Sequence, residues 1–387
     1  MRTTKSKTNF DIDFINIIDP WKDFEHIEGM QNSKESLLTV YQKINKFPLP
    51  PPLSFKYKCD IVVVGFSAYL LLSKEFQKKS HIVLRPRDLF RYTKYLYKCF
   101  RNFTLDLNIY KEIYKQLINK NKNQNKFDYI EFYLKKISPK FLIITSTIDP
   151  VQRLWAFYSN LLGIKVICIQ HGVFSSLSAP EILERNIVDF YFSFCNGQSK
   201  LLENIIPKNK HINLYSEDFY IYKVPKLKKI KVCLIGTDHE RYGLKGRKNK
   251  LSVLRVYERL IKKLKANNEF LFEIVYKKHP SEELIGEVKK NVTIIEEYEL
   301  TTVDIFFGVA STMLLNLAMR HRCAVQISSQ DFVQDRYEDF SFCKTIDIEE
   351  VEAYGLKFLA QSEITMPCLK QNNFNNLLTN IIYNSNI

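Results

Sequence analysis

Two apolar runs, each leading into a histidine, decide how this sequence is expected to fold. Residues 164–169 read Ile-Lys-Val-Ile-Cys-Ile and lead into Gln170-His171-Gly172. Residues 270–276 read Phe-Leu-Phe-Glu-Ile-Val-Tyr and lead, after one more lysine, into Lys278-His279-Pro280. Short runs rich in β-branched and aromatic residues and bounded by chain breakers predict buried strands. Each histidine is therefore expected at the carboxyl end of a strand, where open α/β sheets bind their ligands.

The pattern on both sides of these runs alternates between strands and helices. Strands are predicted at 141–145, 232–235 and 304–307, and helices at 151–162, 251–266, 281–290 and 313–322. The aromatic and basic segment from Arg85 to Lys120 also has a helical pattern. Alternation of this kind predicts an α/β fold with two doubly wound, Rossmann-like domains facing a central cleft.

The domain boundaries follow from a basic connector that runs from Lys223 to Lys231. We assign residues 1–222 to a first domain and residues 223–365 to a second domain. Residues 366–387 are predicted to form a C-terminal helix that packs back on the first domain. A chain of 387 residues is long enough for two hydrophobic cores.

Charge and cysteine content narrow the class of protein. The net charge of +15 implies an anionic partner, such as a nucleic acid, an anionic lipid, an acidic polymer or a nucleotide donor. The eight cysteines have no CxxC spacing, which favours buried thiols over a zinc site. The longest apolar stretch, Ile61 to Leu72, is too short to span a bilayer, so we expect a cytoplasmic protein that is soluble or peripheral to the membrane.

The second half of the sequence carries a candidate phosphate site. Gly308 closes a strand, and Ser311 and Thr312 open the next helix, where backbone N–H groups attract phosphate. An ordinary serine N-cap explains the same pair. Lys278 and His279 are expected at the same sheet edge, with Pro280 at the start of a helix. Gly236 and Thr237 close a third strand there.

Two residues of the first half compete for the role of general base. His171 titrates near neutral pH, and Gly172 beside it leaves room for a substrate next to Gln170. Asp149 also follows a strand, but an aspartate before Pro150 can equally serve the turn. His239, beside Asp238, ranks third. The sequence leaves the choice between His171 and Asp149 open.

These motifs resemble those of a known family. Lys278-His279-Pro280 with Ser311-Thr312 is similar to the HP and Ser/Thr motifs of bacterial sialyltransferases and polysialyltransferases. Those enzymes are GT-B glycosyltransferases in which the histidine and the hydroxyl groups hold the CMP of the donor. Their first motif has two acidic residues and a glycine, and Gln170-His171-Gly172 stands at that place here. A His-Gly at this place is similar to Kdo transferases and glycerophosphotransferases of capsule polymers.

The resemblance implies a glycosyltransferase of bacterial surface polysaccharide, capsule or lipopolysaccharide, in which residues 1–222 bind the acceptor and residues 223–365 bind the nucleotide-sugar. It implies an inverting transfer of an acidic sugar, such as sialic acid, from a CMP-activated donor to an oligosaccharide or lipid-linked glycan acceptor. No metal or other cofactor is expected, because no DxD pair precedes a divalent-cation site. Peripheral association with an anionic inner-membrane surface would fit the basic segment from Arg85 to Lys120. The alternatives are a transferase of Kdo, glycerol phosphate or a UDP-sugar, and a non-enzymatic nucleic-acid binder, which two strand-end histidines do not favour.

Overall fold

The computed structural model describes residues 59–65, 68–69, 72–83, 103–104, 128–146, 150–170, 187–202, 210–224, 229–237, 243–279, 282, 286–309, 311–331 and 341–384. Its strands are β1 Ile61–Val64, β2 Ser80–Val83, β3 Phe103–Thr104, β4 Phe141–Ile144, β5 Lys165–Ile169, β6 Phe190–Ser193, β7 His211–Asn213, β8 Tyr215–Lys223, β9 Lys229–Ile235, β10 Leu271–Lys277, β11 Thr293–Ile294, β12 Ile305–Gly308, β13 Cys323–Ser328, β14 Lys344–Asp347 and β15 Glu363–Gln371. Its helices are α1 Lys74–Lys79, α2 Asp128–Ile137, α3 Pro150–Leu161, α4 Asn196–Leu202, α5 Gly243–Lys265, α6 Thr312–Met319, α7 Ile348–Tyr354 and α8 Phe374–Asn384. Short 3-10 helices occupy Gly286–Asn291, Glu297–Thr302 and Lys357–Ala360.

The first sheet is parallel, with the strand order β3-β2-β1-β4-β5-β6-β7. Its central strands are apolar on both faces, as expected for a parallel sheet covered on both sides. Alternate residues of β1 enter different cores: Val62 and Val64 pack with α2 and α3, whereas Ile61 and Val63 belong to a core that continues into the second half.

The second sheet is also parallel, with the order β11-β10-β9-β12-β13-β14. The helix α5 packs along it through a stripe of buried residues at helical spacing that includes Val253, Tyr257, Leu260 and Leu264. Both sheets therefore have the doubly wound order that the alternating pattern predicted, and the predicted α/β class with two Rossmann-like units is confirmed.

A two-stranded antiparallel ribbon, formed by β8 and β15, joins the two sheets. Tyr215 pairs with Gln371 at one end, and Lys223 pairs with Glu363 at the other. The boundaries at 222/223 and 365/366 both fall inside this ribbon. After the ribbon, the Asn375 side chain on α8 accepts a hydrogen bond from the Ser73 backbone at 2.8 Å, and Tyr383 stacks on Phe76.

Several predicted elements differ from the observed ones. The strand β3 lies in the segment predicted to be helical from Arg85 to Lys120, and the rest of that segment is outside the described residues. The helix α5 begins eight residues before the predicted Leu251. The predicted helix 281–290 is replaced in its described part by a 3-10 helix at Gly286–Asn291. The helix α6 ends at Met319 because His321, with a φ of 52°, turns the chain.

Within the ranges given above, no helix is both long enough and apolar enough to cross a membrane.

Candidate functional site

The second sheet contains a topological switch point between β9 and β12. From β9 the chain proceeds to β10 and β11 on one side of the sheet, and it then returns to form β12 on the other side. The connections therefore leave β9 and β12 in opposite directions, which opens a crevice outside their carboxyl ends. Gly236 and Thr237 directly follow β9, and Gly308 ends β12. The structure thus brings these three predicted residues to one edge.

Gly236 lets the segments after β9 and β10 approach each other closely. Its N–H donates to the Lys277 carbonyl at 2.8 Å. A Cβ at this position would lie 2.8 Å from the His279 nitrogen and would collide with the Glu282 carboxylate. A glycine is therefore required here because there is no space for a side chain, and this contact places Thr237 beside His279.

A buried polar cluster, Lys250 with Tyr276 and Glu282, lies beneath this edge. Lys250 forms an ion pair with Glu282, and neither side chain is exposed. The Tyr276 hydroxyl donates to the same carboxylate at 2.6 Å, and Lys250 also donates to the Thr237 carbonyl at 3.2 Å. The second carboxylate oxygen accepts the His279 N–H at 3.0 Å. The cluster therefore holds the backbone at both Thr237 and His279.

This cluster was not predicted from the sequence, although the position of Lys250 within an apolar helix face indicates a buried lysine. Lys250, Val253, Leu254 and Tyr257 have the i, i+3, i+4, i+7 spacing of a buried helix face. A lysine in such a stripe must be either paired or deprotonated, because an unpaired buried charge is very costly. Glu282 gave no comparable signal, since it follows a proline and a serine in a polar stretch.

The Thr237 hydroxyl is the buried polar group without an internal partner at this edge. Thr237 is 5% exposed, and its Oγ1 has no hydrogen-bond partner within the described part of the chain. A buried hydroxyl without a partner costs about 1–3 kcal/mol. A ligand in the crevice that hydrogen-bonds to this hydroxyl would recover that free energy.

Ser311 and Thr312 stand at the start of α6, as the sequence predicted. The Ser311 side chain accepts a hydrogen bond from the Met313 N–H at 3.3 Å and is the N-cap of the helix. Its hydroxyl proton remains able to donate to an anion, because capping uses only the oxygen as acceptor. A Cβ on Gly308 would lie 3.1 Å from the Leu314 side chain, so this glycine allows α6 to pack closely on β12.

Lys278 and His279 are partly buried at the end of β10. The His279 carbonyl accepts the Glu282 N–H at 3.0 Å, while its own N–H is bound by the Glu282 carboxylate. The His279 backbone is thus fixed from both sides. Pro280 lies outside the described residues, as do Asp238 and His239.

In the first sheet, Gln170 has a position determined by internal hydrogen bonds. Its Oε1 accepts the Phe194 N–H at 2.8 Å, and its Nε2 donates to Gln198 at 2.7 Å. The side chain is buried and forms one wall of a cavity of about 400 Å³. His171 and Gly172, which follow it, lie outside the described residues.

The first sheet has its own switch point, between β1 and β4. The segment after β4 is held by Gln152 of α3, whose Oε1 accepts the backbone N–H groups of Thr145 at 2.7 Å and Ser146 at 3.2 Å. Asp149 lies outside the described residues, but its segment follows this switch-point strand. His171 follows β5, one strand further along the sheet. Gly65, which follows β1 at the same switch point, has a φ of 100°.

Across the ranges that the structure describes, no group of three or more histidine, cysteine, aspartate or glutamate side chains is arranged to hold a metal ion.

Comparisons with known proteins find similar chain folds at low sequence identity. The chain is similar to an S. aureus MnaA–UDP co-structure, with 10% identity and a TM-score of 0.45 over 78% of this chain and 88% of that one. It is also similar to the apo form of the lipopolysaccharide outer core galactosyltransferase WaaB, with 10% identity and a TM-score of 0.47 over 78% and 90% of the two chains. A third similar chain is a crystal structure of TarM, with 15% identity and a TM-score of 0.36 over 63% of this chain and 53% of that one. No protein-family model and no curated protein matches the sequence. The assignment of two Rossmann-like units therefore rests on the strand order of this chain.

Proposed function

We propose that this chain is a glycosyltransferase that uses a nucleotide-activated sugar donor. The donor binds in the crevice between β9 and β12, and the first sheet presents the hydroxyl group of a glycan acceptor. The observation that supports the proposal is the strand order, which puts the buried Thr237 after β9 and the N-terminus of α6 after β12 at one switch point. His279 lies beside Thr237 and has a rigidly held backbone.

This arrangement suits the departure of a phosphate leaving group. As the acceptor oxygen attacks the anomeric carbon, the bond from that carbon to the phosphate oxygen breaks, and negative charge grows on the nucleotide. We expect the N–H groups at the start of α6, together with Lys278 and His279, to stabilise that charge in the transition state. His171 or Asp149 takes the proton of the acceptor hydroxyl. Displacement from the opposite side inverts the anomeric carbon.

We further propose a CMP-activated acidic sugar as the donor and bacterial surface polysaccharide as the product. The similarity of Lys278-His279-Pro280 and Ser311-Thr312 to the HP and Ser/Thr motifs supports the CMP donor. A UDP-sugar, a Kdo donor and a glycerol-phosphate donor would use the same crevice, and they are the other outcomes of the test below.

The test compares nucleotides directly. Thermal-shift and calorimetric titrations of the full chain with CMP, CDP, UDP and GDP should show binding of at least one nucleotide, and CMP is the one that we expect. His279→Ala should weaken that binding by about 1–3 kcal/mol, the range for losing a hydrogen bond to a charged partner. His321→Ala is the matched control, because this histidine is exposed at the opposite end of α6.

Two results would contradict the proposal. The first is the absence of binding by any of the four nucleotides. The second is tight binding to a polynucleotide that weakens steeply with salt and is unchanged in His279→Ala, which would favour a nucleic-acid binder.

A further inference from the structure

The cavity beside Gln170 lies where the carboxyl ends of β5, β6 and β7 meet the chain returning from the ribbon. Gln170, Phe194, Leu214 and Tyr215 form one side, and residues 372–375, Asn-Asn-Phe-Asn, form the other. Its volume of about 400 Å³ lies within the range of about 300–1,000 Å³ that is typical of small-molecule sites. Gln170, which lines the cavity, directly precedes His171 in the sequence.

Hydrogen bonds hold both walls of this cavity in place. Asn372 donates its backbone N–H to the Leu214 carbonyl at 2.9 Å and its side-chain amide to the Asn213 carbonyl at 3.0 Å. On the opposite side, Gln170 is fixed to Phe194 and Gln198. A ligand would therefore meet a preformed site and would not have to order the segments that surround it.

The lining combines carboxamide groups with aromatic rings. Gln170 and three asparagines supply the amides, and Phe194, Tyr215 and Phe374 supply the rings. Among the described residues that line the cavity, none is charged. This composition contrasts with the net charge of +15 of the whole chain. An anionic group placed here would lose its hydration without gaining a cationic partner, which is unfavourable.

A neutral sugar ring matches this lining. Its hydroxyl groups both donate and accept hydrogen bonds, as carboxamides do, and its C–H faces are apolar and pack on aromatic rings. We infer that the cavity between Gln170 and residues 372–375 is a binding site for a neutral saccharide unit of the acceptor. This inference rests on the proposed function. It adds that the saccharide unit of the acceptor that occupies this cavity is uncharged.

The variants that test it keep the local structure. Asn373 accepts the Asn376 N–H at 3.1 Å and so caps α8. Asn373→Ser keeps a capping oxygen but removes the amide donor. Tyr215→Ile removes an aromatic ring but retains a residue type that favours the strand β8. Asn376→Ser is the matched control, because Asn376 is on the same helix and is exposed away from the cavity.

Binding is measured with the full chain on a glycan array that pairs neutral oligosaccharides with their sialylated or phosphorylated forms, followed by calorimetry with the strongest binder. We expect neutral glycans to bind, Asn373→Ser to weaken binding about 3- to 10-fold, and Asn373→Ser with Tyr215→Ile to weaken it further. Asn376→Ser should bind as the unsubstituted chain does.

Each of three results would overturn the inference: no neutral glycan binds, anionic forms bind better than their neutral partners, or Asn376→Ser weakens binding as much as Asn373→Ser. Nucleotide titrations of the same samples separate this inference from the proposed function. Nucleotide binding without saccharide binding overturns the saccharide site alone. If a saccharide binds in a way that depends on Asn373 and no nucleotide binds, the proposed transferase function is overturned. The inferred saccharide site is then retained.

Discussion

Lys250, on α5, and Glu282, which follows β10, form an ion pair in which neither side chain is exposed to solvent. The pair also binds the Tyr276 hydroxyl, the Thr237 carbonyl and the His279 N–H. Removing one member leaves the other as an uncompensated buried charge, which typically costs about 3–5 kcal/mol.

Substitution of the ion pair should therefore show strong non-additivity. We expect Lys250→Met and Glu282→Gln each to lower the free energy of unfolding by about 3–5 kcal/mol, and the double variant to lose less than the sum of the two. Urea denaturation of the four proteins measures this coupling. Losses that simply add would show that the two side chains do not interact in solution.

Thr237→Val should separate stability from donor binding. Valine has a similar shape, and it removes a buried hydroxyl that has no internal partner, so the melting temperature should stay the same or rise. Nucleotide affinity should fall, because under the proposed function this hydroxyl hydrogen-bonds to the donor. Calorimetry and thermal melts of the same sample test both parts. An unchanged affinity would remove Thr237 from the donor site.

The two candidate bases can be separated by comparing transfer with donor binding. Loss of a general base costs roughly 10²–10⁴ in rate, while donor affinity should remain, because the donor lies on the other sheet. From the residue types, we expect His171→Ala to abolish transfer and still bind CMP, and Asp149→Asn to retain measurable activity. The reverse result, with Asp149→Asn inactive but folded by circular dichroism, would assign the role to Asp149, whose segment follows the switch-point strand β4.

His81 on β2 should make the protein sensitive to acid. Burial lowers the pKa of His81 from 6.5 to about 4, and the ring packs edge-on against Tyr133. Between these two values the unfolded chain binds a proton that the folded chain does not. Stability is therefore complete above about pH 6.5 and falls as the pH drops towards 4, by up to about 3 kcal/mol. Denaturation curves from pH 7 to 4 should show a smaller loss for His81→Phe, and parallel curves would contradict this cause.

Association with membranes should depend on charge. Sedimentation with anionic liposomes should decrease at high salt, and replacing Arg85, Arg87 and Arg91 with glutamine should weaken it. Replacing the exposed lysines 135, 136 and 140 on and after α2 is the matched control. An equal effect of both triple variants would mean that net charge, and not the segment from Arg85, drives association. Equal sedimentation with neutral liposomes would contradict the electrostatic explanation.

The central strands could be predicted because a strand that is buried on both faces of a parallel sheet has a continuous run of apolar residues. Runs such as Phe141-Leu142-Ile143-Ile144 and Val232-Cys233-Leu234 are apolar without interruption, and in the structure they belong to the strands β4 and β9. Gly236, Thr237 and Ser311 could be predicted as strand-end and helix-start residues for the same reason, since the parallel order brings those ends to one edge.

The ribbon could not be predicted in the same way. In β8, Phe219 and Ile221 are exposed between the polar Ser216-Glu217-Asp218 and Lys223, so hydrophobic alternation does not mark a buried face. Its partner β15 contains Pro367 and lies far away in sequence. The strand β8 forms because it pairs with the distant strand β15, and its local sequence pattern does not indicate a strand. The contacts of Glu282 could not be predicted from local sequence either, because they depend on the close approach of Gly236 to the end of β10.

The return of the chain through β15 to α8 has a consequence for protein synthesis. Ser73 and its partner Asn375 are separated by 302 residues, and Phe76 contacts Tyr383 near the end of the chain. At about 5–20 residues per second, a ribosome needs roughly 15–60 seconds to translate the segment between them. The last strand of the first sheet ends at Asn213, so in the later part of that interval the whole sheet has been translated but lacks α8, which packs on it through Phe374 and Phe192. Residues 374–384, which are translated after the strands of both sheets, therefore complete the core of the sheet that is translated earlier.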